Sequence, residues 1–163
     1  MIEQLVRALE LRIERLNKER LSDGEAPLPK LTLVLLGQFA LFADPAVRSR
    51  FHLSATRDLD ALIEGGWNAR ALVKEALAEL NFEYDDLSRE IWMPAEATQW
   101  LVYDSQLLTV KAFDAISVIV SKAVKAPAKN RYIVRQGLML YGDELAQLIT
   151  RYGGIIEEFL NKP

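Results

Sequence analysis

Between Pro27-Leu28-Pro29 and Gly37 lies Leu31-Thr32-Leu33-Val34-Leu35-Leu36, an almost unbroken apolar run of strand length. A strand with one wet face alternates apolar and polar residues, whereas a continuous run is buried on both faces. An interior strand is therefore expected here, ending at Gly37. Upstream, Ile2, Leu5, Val6, Leu9, Ile13 and Leu16 recur at helical spacing, with Glu3/Arg7 and Glu14/Lys18 as i,i+4 pairs on the wet side. The turn-rich stretch Ser22 to Pro29 separates this helix from the strand.

Downstream, a helix is expected to start within Phe39–Phe42, with Asp44-Pro45 interrupting it and the stretch to Leu53 left unassigned. Asp58-Leu59-Asp60 continues as a strand through Ala61-Leu62-Ile63 until Gly65-Gly66, and Asn68 is placed to cap a helix carrying Ala71, Leu72, Ala76 and Leu80. The β-favouring runs Phe82–Tyr84, Ile91–Met93, Trp100–Tyr103 and Leu108–Phe113 then complete one mixed sheet. Ala115 to Val124 reads as a helix ended by Pro127, and a second helical run follows from about Tyr132. A last helix opens at Asp143, with Gly153-Gly154 inside it. The expectation is one α/β (α+β) domain over 1–163: an N-terminal helix over 1–21, a sheet core over 31–114 flanked by helices, and C-terminal helices over 115–163.

Composition removes several function classes. A net charge of −3 and a pI near 5.3 give no global attraction to nucleic acid or anionic membrane. The absence of cysteine excludes disulfides and thiolate metal sites, and a single histidine, His52, excludes a histidine-rich one. The opening residues are amphipathic and acid-bearing, and no apolar run reaches membrane-spanning length, so a cytoplasmic protein without a membrane partner is expected.

The chemistry concentrates in Ser54-Ala55-Thr56-Arg57-Asp58-Leu59-Asp60. On an extended chain Asp58 and Asp60 point the same way while Leu59 points into the core. Two carboxylates side by side repel, and a cation between them relieves the repulsion. Oxygen-only ligands favour Mg²⁺ or Mn²⁺, ions suited to phosphoryl and nucleotidyl transfer. An isolated Asp-x-Asp is most often a solvated strand end or turn.

Taken with the strand that ends at Gly37-Gln38-Phe39-Ala40-Leu41, Thr56-Arg57-Asp58-Leu59-Asp60 resembles the core of the nucleotidyltransferase fold found in DNA polymerase beta, kanamycin nucleotidyltransferase and abortive-infection toxin nucleotidyltransferases. The stretch Val110 to Ala123 with Lys129-Asn130-Arg131 is similar to bacterial uncharacterised and toxin–antitoxin members. The resemblance covers roughly residues 31 to 140. It implies that Gly37 and Gln38 border a triphosphate, that Arg57 and Lys122 neutralise its charge, and that Asp58 and Asp60 bind the metals. Gln38 stands where such proteins carry a second Gly or Ser, and Asn130 and Ile133 stand where aspartates are expected. Glu90, Glu96 and Asp104 compete for the place of a third carboxylate, with Glu90 preferred because it directly precedes Ile91-Trp92.

Cations such as Arg57 and Lys122 are more often solvated than functional, and at least two of Trp67, Trp92 and Trp100 are expected to supply core area. The 122–131 segment is a local basic cluster, suited to a phosphate, an RNA or an acidic protein partner and equally to a solvated helix end. Two functions follow as expectations: a metal-dependent nucleotidyltransferase using a nucleoside triphosphate, or a catalytically eroded, antitoxin-like or regulatory binding module on the same scaffold.

Overall fold

The computed structural model describes residues 1–54 and 56–160. Ala55 of the Asp-bearing heptapeptide and the end of the expected C-terminal region, 161–163, lie outside the described residues. Strand β1 (Leu31–Leu35) occupies the sheet interior that its apolar run requires. It pairs antiparallel with β3 (Ala61–Glu64) and parallel with β6 (Leu108–Phe113), and β6 pairs antiparallel with β5 (Gln99–Asp104), giving the order β3-β1-β6-β5. Leu31, Leu33 and Leu35 join Leu108, Val110 and Ala112 in the core. Helix α1 (Ile2–Ser22) buries Leu5, Val6, Leu9 and Ile13 and packs against α4 (Ala69–Glu79). The architecture is a mixed α+β fold with helices around a four-stranded mixed sheet and helical elements at both ends.

The sheet is not the single one expected. Residues 58–64 change partners midway: β2 (Asp58–Leu59) leaves the main sheet and pairs parallel with β4 (Glu83–Tyr84), while β3 stays beside β1. Ile91-Trp92-Met93 is not a strand; Pro94 follows it, and the Trp92 carbonyl accepts from the Ser121 hydroxyl rather than from a ladder. The helix expected around Phe39–Phe42 forms as α2 (Gly37–Ala43), the unassigned stretch after Asp44 forms α3 (Pro45–Arg50), and Asp44 caps the latter through Ala46 N at 2.8 Å and Val47 N at 3.3 Å. Asn68 takes the cap position of α4 without a capping side-chain bond.

At the C-terminal end, α5 (Ala115–Lys125) is followed at once by α6 (Pro127–Arg151), so Pro127 begins a helix as well as following one. Tyr132 does not open a helix, since α6 runs through it, but at Gly142 the backbone leaves the helical region with φ +55°, dividing α6 into two helical segments of which the second begins at Asp143 as expected. Gly137 lets both α5 and the part of α6 beyond Gly142 pack close, since a Cβ there would lie 3.0 Å from Ile119 Cδ1 and 2.9 Å from Leu145 Cδ2. Gly153 has φ +86° and lies beyond the end of α6 rather than inside a helix, ahead of α7 (Glu157–Leu160). Trp92 and Trp100 pack against the core, whereas Trp67 is exposed. Among the described residues no helix is long and apolar enough to cross a membrane.

Candidate functional site

Asp60 sits where the two sheets part. Its carbonyl accepts from Leu36 N at 2.9 Å, continuing the β1 side, while the neighbouring Leu59 carbonyl accepts from Asp85 N at 3.0 Å, continuing the β4 side. Leu59 is fully buried, which contributes about 1.5–3 kcal/mol. A one-residue slip would exchange it for the aspartates, so the core fixes the direction in which they point. Asp85, directly after β4, is thereby carried to Asp60.

Ser88 secures this junction. Its buried hydroxyl donates to the Asp85 carbonyl at 2.7 Å and accepts from Ala61 N at 3.1 Å, while the Tyr84 hydroxyl donates to the Ala61 carbonyl at 2.9 Å. Ser88 belongs to the 3-10 turn Asp86–Glu90 that Asp85 caps.

Gly37 lies directly beneath the Asp60 carboxylate. Its φ is +52°, in the left-handed region, and a Cβ placed on it would meet Asp60 Oδ2 at 2.0 Å and Cγ at 2.9 Å. Two independent reasons thus demand glycine, backbone conformation and proximity. The end of β1 thus meets the Asp-x-Asp segment at Asp60. Gln38 turns aside, its Nε2 donating to the Ser54 carbonyl and tying the start of α2 to the loop before β2.

Burial pushes Asp60 from 3.8 up to about 6. Lys122 opposes the rise, while the Asp85 charge, a side-chain hydrogen bond with Asp85 and the Asp58 charge add to it. Lys122 is itself held below the ordinary lysine range, first by burial and then by Lys129, with Asp60 acting the other way. The site therefore gathers more negative than positive charge in a partly desolvated place. Among the described residues no three His, Cys, Asp or Glu side chains are grouped so that they could hold a metal ion. Asp60 and Asp85 are instead within hydrogen-bond reach of one another. Such a bond needs a proton, and a cation can take that proton's place.

The expected residues divide accordingly. Asp58, Asp60, Gly37 and Lys122 come to one place; Arg57 is exposed on the approach, where its carbonyl accepts from Glu83 N. Glu90 does not join them: it is the exposed last residue of the 3-10 turn, and its preference rested on a strand at Ile91–Met93 that does not form. Glu96 pairs with Arg151 and Tyr152, and Asp104 with Lys30 and Thr109. The carboxylate that stands beside Asp60 is instead Asp85. Asp85 directly follows the run Phe82–Tyr84, but nothing local in the sequence pairs that run with Asp58-Leu59, so its place beside Asp60 carried no sequence signal. The basic cluster is not one stripe either: Lys122 lies near Asn130, and Lys125 lies over the Trp92 ring. Comparison with protein-family models, curated proteins and solved structures finds no match for this chain.

Proposed function

We propose that the chain is a metal-dependent nucleotidyltransferase, moving a nucleoside monophosphate from a nucleoside triphosphate to an acceptor hydroxyl. One observation carries the reading: Asp60 stands over Gly37 with Asp85 at hydrogen-bond reach, Asp58 adding its charge and Lys122 the opposing one. Asp58, Asp60 and Asp85 would hold Mg²⁺ or Mn²⁺, because their donors are all oxygens and their mutual repulsion is what a hard cation relieves. Such an ion, when bound, supplies charge stabilisation for the phosphates and for the oxygen that attacks. In the transfer the acceptor oxygen bonds to the α-phosphorus, the bond to the bridging oxygen breaks, and pyrophosphate leaves with that electron pair. The hydroxyl proton passes to Asp58, the exposed carboxylate of the group. Lys122, from α5, balances charge on the substrate side.

A second reading, an eroded binding module, is favoured by Gln38, which has no small-residue role beside Gly37 and instead braces Ser54. Melting the protein with Mn²⁺ or Mg²⁺ and each nucleoside triphosphate, while following pyrophosphate release, separates the two. Ligand at ~100 times its dissociation constant stabilises by about 2.7 kcal/mol, a shift on the order of 5–10 °C for a chain of this size. The transferase reading expects that shift together with pyrophosphate, both lost in Asp60→Asn and Asp85→Asn. A shift without pyrophosphate selects the binding module, and no shift with any triphosphate and either metal ends the nucleotidyl-transfer reading.

A further inference from the structure

Asn130 is a buried amide in the first turn of α6, and a buried amide needs partners at both its ends. Its Nδ2 donates to the Ala126 carbonyl at 2.9 Å, at the joint where α5 ends and α6 begins. A carbonyl only accepts, so the nitrogen faces Ala126 and the orientation of the amide is settled. Oδ1 is thereby turned to Lys122, whose Nζ donates to it at 3.4 Å. The Ala126 N–H donates in turn to the Lys122 carbonyl, so the residue that orients Asn130 is itself bonded to the backbone of the lysine.

The neutrality of this partner matters as much as its position. Of the charges that act on Lys122, Asp60 attracts and Lys129, next to Asn130 in the chain, repels. An ionised aspartate at 130 would upset both ends of the bracket. It has no donor for the Ala126 carbonyl, and it would be a second counter-charge, drawing the ammonium away from Asp60. The amide does neither. A lysine ammonium carries three donors, and Asn130 takes one of them without neutralising the charge.

We infer, on the nucleotidyl-transfer reading of the same site, that Asn130 is the positioning residue for Lys122: its amide holds the ammonium on the Asp60 side and leaves the full positive charge for the phosphates of a nucleoside triphosphate. Asn130 itself touches no substrate. It acts through Lys122, and its removal frees a long, flexible side chain that must be ordered again each time a triphosphate binds.

Two measurements on the full chain test this. Acetic anhydride labelling without nucleotide or metal, read for each lysine by peptide mass spectrometry, reports the hold on Lys122 directly. Asn130→Leu should raise Lys122 labelling by about threefold or more while the exposed Lys125, one turn further along α5, keeps its rate. Asn130→Asp, which keeps an oxygen for Lys122, should leave Lys122 no faster than in wild type. Calorimetric titration with Mn²⁺ and each nucleoside triphosphate then reads the consequence. Both Asn130 variants should weaken the triphosphate by about tenfold, one by freeing the ammonium and the other by neutralising it. In a Lys122→Met background Asn130→Leu should weaken it no further. Equal losses in both backgrounds make Asn130 a structural amide and overturn the assignment, as does Lys122 labelling that ignores Asn130→Leu or rises together with that of Lys125. A wild-type chain that binds no triphosphate removes the reading of the site and the substrate role with it, and the labelling still decides whether Asn130 holds the ammonium.

Discussion

Asp60→Asn should stabilise the protein at neutral pH and leave it unchanged in acid. Asp60 is raised from 3.8 to about 6. At about 1.36 kcal/mol per unit, a shift of about two units corresponds to about 3 kcal/mol between the protonation states. Part of the group still meets solvent, and screening reduces this to about 1–2 kcal/mol. The sign follows from proton occupancy: between 3.8 and about 6 the folded state keeps a proton that the unfolded chain has released. Stability is therefore fully present below the lower value and is lost as pH rises through the upper one. Asparagine has no proton to lose, so the variant escapes that decline.

The assay is thermal melting of both proteins from about pH 4 to about pH 8 without divalent metal, reading only their difference. Taking the difference cancels Asp86, Glu96 and Asp104, whose values are lowered by partners and whose contributions run oppositely, fading as pH falls. The variant should melt about 3–6 °C higher on the alkaline side and together with wild type on the acid side. Lys122→Met should move the Asp60 midpoint further up, because Lys122 is the charge that opposes the rise. A difference that stays constant with pH, or a variant less stable at neutral pH, refutes the argument and makes Asp60 an ionised structural acceptor.

Gly37→Ala combines a left-handed φ with a Cβ 2.0 Å from Asp60 Oδ2 and should cost about 2–4 kcal/mol in denaturant unfolding. Adding Asp60→Ser should return part of that loss, and strict additivity of the two changes would deny the contact. Ser88→Ala strands the buried Ala61 N–H and releases the Asp85 carbonyl; about 1–3 kcal/mol should be lost, and the metal-dependent rise in melting temperature should shrink with it. Gln38→Ser removes the bond to the Ser54 carbonyl and should cost about 0.5–1.5 kcal/mol while leaving triphosphate affinity as it was. A tighter complex in calorimetry would mean that Gln38 obstructs the phosphates after all.

What was legible in the sequence was local. The Leu31–Leu36 run and the Asp58-Leu59-Asp60 alternation depend only on a period of two, and both kept their faces because Leu33, Leu35 and Leu59 are fully buried. The third carboxylate was not legible, because it depends on a change of partner. If 58–64 had stayed beside β1 throughout, β4 would have had no strand to join and Asp85 no route to Asp60. Nothing at Asp60 itself announces that switch; it is sealed from a distance by Ser88 and Tyr84, both bonding to Ala61. Pro127 was read only as the end of one helix, which it is, while its missing N–H also suits the helix start it makes for α6. Gly37 was read as room for phosphate oxygens, yet the atoms over it belong to Asp60. The two readings are compatible on one condition: a phosphate reaching the Gly37 amide must draw the Asp60 carboxylate off that position, and a cation that competes for the same oxygens would do so. Nucleotide and metal should therefore bind with positive coupling, each tightening the other, and independent affinities in a paired titration would show that Gly37 serves Asp60 alone.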